Sequence, residues 1–162
     1  NANPGDDLGN AEVTDNQQER WQTPPEIFDP LHAEFGFDLD AFADEQTKRV
    51  PRYLKDALAP EQWDGQVIFA NPPYGHKLAP CVRRMRAEAR PGKIVVALIP
   101  FRCRGDWWHS CVIGEAVEVR CIRKRVSFMR LDGTRGGFTG SCDSCIVVWR
   151  GPGAHETRLV AA

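Results

Sequence analysis

The chain has 162 residues, enough for one domain with a substantial core and no covalent staples. A hydrophobic content of 42%, a charged content of 27% and a net charge of −1 are ordinary for a soluble globular domain and exclude a uniformly cationic nucleic-acid binder. No apolar run approaches the ~20 residues of a membrane span and no N-terminal apolar stretch suggests a signal peptide, so a cytoplasmic location and no membrane partner are expected.

Residues 1–20 are polar, with almost no large apolar side chains, and are expected to form a flexible arm ahead of one domain over 21–162. Order is expected to begin at Trp21-Gln22-Thr23-Pro24-Pro25. Thr23 can cap a helix over about 24–35, which carries Ile27, Phe28, Leu31 and Phe35 at helical spacing. Phe37 to Ala43 alternates apolar and acidic residues, as a strand running into a loop does. Tyr53 to Leu58 reads as a short strand or turn carrying Asp56, and Val67 to Ala70 as a stronger strand. Leu78 to Ala89 has helical character and ends near Pro91-Gly92. Ile94 to Pro100 is a continuous apolar run, typical of a strand buried on both faces.

Asp106-Trp107-Trp108-His109 opens a short helix. Val117 to Ile122 and Val126 to Met129 read as strands, and Ser144 to Arg150 as the strand that closes the sheet. Leu131 to Gly140 is glycine-rich and polar, which predicts a mobile loop. Alternating strands and helices around a buried central strand predict a three-layer α/β domain with a mixed sheet.

Asn71-Pro72-Pro73-Tyr74 directly follows the Val67 to Ala70 strand, at the strand end where open α/β sheets place ligands. Two consecutive prolines stiffen the backbone and leave carbonyl oxygens without competing N–H groups. Beside them stand an amide and an aromatic ring, a set able to hold a planar exocyclic amine. The Asn71 amide oxygen and the Pro72 carbonyl would each accept one N–H, and Tyr74 would stack on the ring bearing the amine. Fixed acceptors drawing on those hydrogens favour a pyramidal nitrogen with its lone pair freed. They also stabilise the positive charge that develops when that nitrogen attacks a sulfonium methyl group. An amino-methyltransferase site follows, in which no strong general base is needed; the bland reading of the same residues is a rigid strand-to-helix turn with Tyr74 packed.

The small net charge hides a division. The chain is rich in Asp and Glu up to Asp64, whereas Arg83, Arg84, Arg86, Arg90, Arg102, Arg104, Arg120, Arg123, Lys124, Arg125, Arg130 and Arg135 populate the second half and could make one basic face. The six cysteines read as reduced thiols, and the single close pair Cys142-x-x-Cys145 has no second pair to complete a zinc site, so no metal is expected.

Five separated segments fit one pattern: Trp21-x-Thr23-Pro24, Phe37-Asp38-Leu39-Asp40-x-x-Ala43, Asp56-x-Leu58, Asn71-Pro72-Pro73-Tyr74, and Ala97 to Pro100 leading to Trp107-Trp108-His109. In order and spacing they resemble the phage-type DNA N6-adenine methyltransferase (Dam-like) family over roughly residues 21 to 150. The resemblance implies a single-domain, reduced Rossmann-like enzyme that takes a methyl group from S-adenosyl-L-methionine and places it on adenine N6 in DNA. It implies Asn71, Pro72, Pro73 and Tyr74 as the catalytic motif and Trp21, Thr23, Pro24, Asp38, Asp40 and Asp56 as cofactor-binding residues. It also implies a role in modifying a phage genome against host restriction.

Since adenine N6 cannot reach a buried pocket from inside a duplex, the target base must be flipped out. Arg102, Arg104, Trp107, Arg125, Arg130 and Arg135 are the expected DNA-binding residues: arginines on phosphates, Trp107 stacking or lining the pocket, and Arg130 and Arg135 reaching guanine edges. The chain departs from many S-adenosylmethionine enzymes in one respect, for Asp38 to Ala43 contains no glycine. The short interval from Asp40 to Asn71 also predicts a reduced sheet. The competing functions are methylation of RNA or of a protein glutamine, and a catalytically silent DNA-binding module on the same fold; a monomer is the default.

Overall fold

A computed structural model of the chain describes residues 21–136, 143–151 and 156–162. The arm expected over 1–20, the far part of the 131–140 loop and Cys142 lie outside the described residues. The chain order is α1 (Pro25–Phe35), β1 (Leu39–Ala41), β2 (Tyr53–Leu54), β3 (Val67–Ala70), α2 (Leu78–Glu88), β4 (Ile94–Pro100), α3 (Asp106–Cys111), β5 (Glu118–Cys121), β6 (Ser144–Arg150) and β7 (Arg158–Ala161).

These strands make one seven-stranded mixed sheet in the order β2-β1-β3-β4-β6-β5-β7. The pairs β1–β2, β1–β3, β3–β4 and β5–β7 are parallel, and β6 is antiparallel to both neighbours, β4 and β5. The C-terminal ends of β1 to β5 therefore share one edge. Two cores cover the two faces, giving the expected three layers. On one face Leu39, Ala41, Ile68, Ala70, Val95 and Ala97 pack under α2 and α3. On the other Phe69, Val96, Leu98, Ile146 and Val148 pack under Phe28 and Leu31 of α1. Alternate residues of each strand serve opposite cores, as the pleat requires.

Four details differ from the sequence reading. Thr23 does not cap α1: extended Pro24 is the N-cap residue with no side-chain cap bond, and Pro25 opens the helix, its missing N–H being one that a first turn leaves unbonded. Val126 to Met129 is not a strand, because only Met129 pairs, in isolated bridges to Gln22 and Arg135. β6 does not close the sheet but lies inside it, and the unforeseen β7 forms the edge. The reduction expected between Asp40 and Asn71 falls on helices and strand lengths, not on strand number. The connections β1–β2 and β2–β3 contain no helix, and β2 has two residues.

Candidate active site at the C-terminal strand edge

Three turns leave the shared edge side by side: 42–44 after β1, 55–58 after β2 and 71–75 after β3. Between them lies a cavity of about 310 Å³ whose walls include Phe42, Asp44, Thr47, Asp56, Pro73 and Lys77. That volume is at the lower end of small-molecule sites. Asp56 of the predicted cofactor set and Pro73 of the predicted catalytic set thus face one space.

The cavity wall is rigid by construction. Asp44 Oδ1 accepts the N–H groups of Gln46 and Thr47, both at 2.9 Å, and the Asp44 N–H donates to Thr47 Oγ1 at 2.9 Å. Trp63 is fully buried behind the other wall, its indole N–H bonded to the Ala57 carbonyl at 3.0 Å. Phe42 stands edge-on to Trp63 with ring centroids 5.7 Å apart. Its φ of 65° is left-handed, the one non-glycine residue with positive φ among the described residues. The turn after β1 therefore reaches, with Phe42, a conformation that L-residues avoid at about 1–2 kcal/mol and that glycine adopts freely.

Tyr74 lies where the two cores meet. The ring of Phe128 packs against it at 6.0 Å and 88°. Phe128 was not among the sequence-predicted residues; 54 positions separate it from Tyr74, and its segment is placed over the site by the bridge of Met129 to Gln22 and by burial of Phe128 against the α1-face core. The same bridge assembles a second group. Arg130 lies over the Trp21 ring at 5.5 Å, and a Cβ on Gly136 would come within 2.5 Å of that ring. Thr23 and Pro24 are buried beside it. Trp21, Thr23 and Pro24 line this neighbouring cluster and not the 310 Å³ cavity.

The two acidic residues of β1 and its entry point elsewhere. Asp38 sits at the opposite sheet edge, where its carboxylate accepts the N–H groups of Gln66 at 3.0 Å and Val67 at 3.3 Å. It braces the start of β3. Asp40 is 3% exposed on the α1 face, and its Oδ2 accepts the Arg49 N–H at 2.7 Å. Arg49 in turn stacks over Phe28 and pairs with Asp29 at 3.1 Å. Burial pushes the Asp40 carboxyl up to about 7, against the Arg49 hydrogen bond and charge that pull it down. Neither aspartate lines the cavity; Asp40 acts on it indirectly, by tying down the 44–52 loop that supplies Asp44 and Thr47.

The arginines divide into two groups. Arg84 and Arg90 pair with buried Glu88, Arg86 with Glu115, Arg120 with Glu34, and Arg135 with Glu26. One continuous basic face made of all twelve cations is therefore not present. Arg102, Arg104, Arg123, Lys124 and Arg125 are exposed, and all follow strands ending on the Asn71 edge. Arg135 is held by Glu26, although such a half-exposed pair is weak and exchangeable. Trp107 is 8% exposed and edge-on to Trp108 at 5.6 Å. It belongs to the core and offers no face to a base.

Two outcomes follow from this geometry. Phe42→Gly is expected to be more stable than Phe42→Ala by about 1 kcal/mol in urea unfolding, because both lose the Trp63 contact and only glycine relieves the left-handed strain. The raised Asp40 carboxyl keeps its proton in the folded state after the unfolded chain has lost it. Wild-type stability should accordingly fall as pH rises from about 4 to 7, by about 2–4 kcal/mol from this residue. Asp40→Asn retains an acceptor for the Arg49 N–H and should abolish that part of the decline; an unchanged pH profile in the variant would show that Asp40 is not its source.

Residues 10–159 match the family model described as DNA N-6-adenine-methyltransferase (Dam). The chain is also 29% identical over 117 residues to a DNA N-6-adenine-methyltransferase of Haemophilus phage HP1 (strain HP1c1). That similarity covers 67% of this chain and 65% of the phage protein, so the chain spans slightly less than two thirds of the relative's length. With a family match extending over nearly all of the α/β domain, the chain belongs to the DNA N-6-adenine-methyltransferase (Dam) family.

Proposed function

We propose that the chain transfers a methyl group from S-adenosyl-L-methionine to the N6 amine of adenine in DNA. The observation that carries this reading is the Asn71-Pro72-Pro73-Tyr74 turn at the C-terminal end of β3, with Pro73 forming part of the wall of a ligand-sized cavity. The residues present suit the cofactor. The cavity joins an aromatic wall at Phe42 to the polar groups of Asp44, Asp56 and Lys77, a mixture appropriate to a nucleoside carrying charged substituents. When bound there, the cofactor supplies an electrophilic methyl group.

The chain's own residues do the rest. Asn71 Oδ1 and the Pro72 carbonyl accept the two N6 hydrogens and fix the amine's direction toward the cavity. As the nitrogen becomes positive these preorganised acceptors bind it more tightly than they bind the neutral amine. Tyr74 stacks on the adenine ring, and Phe128, edge-on to Tyr74, holds that ring in place. The base enters flipped from the duplex, while Arg102, Arg104, Arg123, Lys124 and Arg125 contact phosphates along the same edge. Trp21, with Arg130 over one face, sits beside this entry and supports the 126–136 segment.

The direct test is transfer of tritiated methyl to unmethylated DNA followed by nucleoside analysis, with RNA and a protein extract in parallel. N6-methyladenine in DNA alone is the expected product, and a folded chain that binds DNA but labels no substrate would instead identify a silent binding module. Asn71→Ala should lower turnover by about 100-fold or more while leaving cofactor binding and fold intact. Arg102→Ala and Arg125→Ala should each weaken DNA binding at all sequences and reduce its salt slope by about one. A salt slope unchanged in both variants would remove these residues from the interface.

A further inference from the structure

The antiparallel register of β5 and β6 places Cys121 directly opposite Cys145. One position farther out, the Ile122 N–H donates to the Ser144 carbonyl at 3.3 Å. Residues 122 and 144 therefore form the hydrogen-bonded pair, and 121 and 145 the non-hydrogen-bonded pair, the arrangement with Cα atoms about 4.5 Å apart and side chains closest on one face. That face is the one covered by α2 and α3. Cys145 packs there with Ile99 and Val147, and Val119, two residues before Cys121, packs beside them. A disulfide needs Cα atoms about 4.4–6.8 Å apart, so this register meets the requirement without backbone movement.

The electrostatics agree with the geometry. Burial first, and the nearby Cys121 second, push the Cys145 thiol well above its ordinary range. Both cysteines are reduced in this structure, Cys145 buried and Cys121 half-buried.

The position of the pair gives it a consequence. β5 ends at Cys121 and β6 begins at Ser144. Between these points come Arg123 to Arg125, Phe128 against Tyr74, Arg130 over Trp21, and Arg135 on Glu26. Phe128 of this segment is the ring that packs against Tyr74 of the Asn71 to Tyr74 turn. We infer that Cys121 and Cys145 are an oxidisable pair whose disulfide staples the base of this segment.

The step balances with a low-molecular-weight disulfide as oxidant. The Cys121 thiolate, the more accessible of the two, attacks one sulfur of that disulfide and releases one small thiol. Cys145 then loses its proton and attacks the Cys121 sulfur, releasing the second small thiol. Two protein thiols are oxidised and one small disulfide is reduced to two thiols. Because Cys145 is buried and reluctant to ionise, the second exchange is the slow one.

The test uses the full chain incubated with oxidised glutathione, quenched by alkylation and mapped by tandem mass spectrometry. Expected are the loss of two of the six thiols, a peptide link between Cys121 and Cys145, and full reversal by dithiothreitol. The link should persist in Cys142→Ser and vanish in Cys121→Ser. After tryptic nicking at Arg123 to Arg125, the oxidised chain should remain one band without reductant and separate into two with it. Cys145 still open to alkylation while Cys121 carries glutathione, or links formed instead through Cys103 or Cys142, would overturn the inference. None of these readouts depends on methyl transfer, so their failure is distinct from failure of the proposed activity.

Discussion

Burial of β3 on both faces, between parallel β1 and β4, is the constraint on which the rest of the site depends. Ile68 and Ala70 face the core under α2 and α3, while Phe69 faces α1, and all three are at most 1% exposed. A slip of one residue would send each side chain into the wrong core, so the register Ile68↔Leu39 and Ile68↔Val95 is held from both sides. The position of Asn71 follows from that register. Two prolines then carry the rigidity of the strand into the turn, so a four-residue strand fixes the position of the residues that follow it.

This constraint also explains what was legible in the sequence. Val67 to Ala70 and Ile94 to Pro100 are unbroken apolar runs because both of their faces are covered, and such runs announce themselves. The place of the Asn71 turn at the end of β3 was legible because the adjacent apolar run sets it. The surroundings of Asp38 and Asp40 were not legible for a related reason: alternation of apolar and acidic residues ordinarily signals a strand with one wet face, whereas β1 is covered on both. Asp38 is bound by backbone amides at the far edge and Asp40 is buried against Arg49. β7 gave little signal because an edge strand of four residues with Leu159 largely exposed has no buried face to impose a pattern. Val126 to Met129 has strand-like composition, yet tertiary contact with Gln22 uses only one of its residues. Phe128 illustrates the limit, since no local pattern can report a ring placed against Tyr74 by a bridge to the other end of the domain.

The uneven charge along the chain resolves in a similar way. Acidic residues of the first half and of α2 neutralise many of the arginines, as in Arg120 with Glu34 and Arg84 with Glu88. Exposed cations of two connections, 101–105 and 122–125, lie on the Asn71 edge on the β4 side of β3, because β4 and β5 run in the same direction on either side of β6. The near-zero net charge thus coexists with a locally basic rim. Topology concentrates that charge where a polyanion would lie.

The missing glycine after β1 bears on the cavity more than on the backbone. A glycine in such a turn does two things: it allows positive φ, and it removes the Cβ that would hold a ligand away. Phe42 provides the first at a cost of about 1–2 kcal/mol. Its contact with buried Trp63 offsets part of this, aromatic pairs contributing about 0.5–1.5 kcal/mol beyond their area. The second service is not replaced, and a molecule in the cavity meets an aromatic wall where bare backbone would otherwise stand. The polar side chains of Asp56 and Lys77 line the same cavity as the Phe42 ring. The strain at Phe42 and the rigid turn at Pro73 are two ways of fixing walls of the same space, one by a costly backbone conformation buttressed from behind, the other by residues with little conformational freedom to lose.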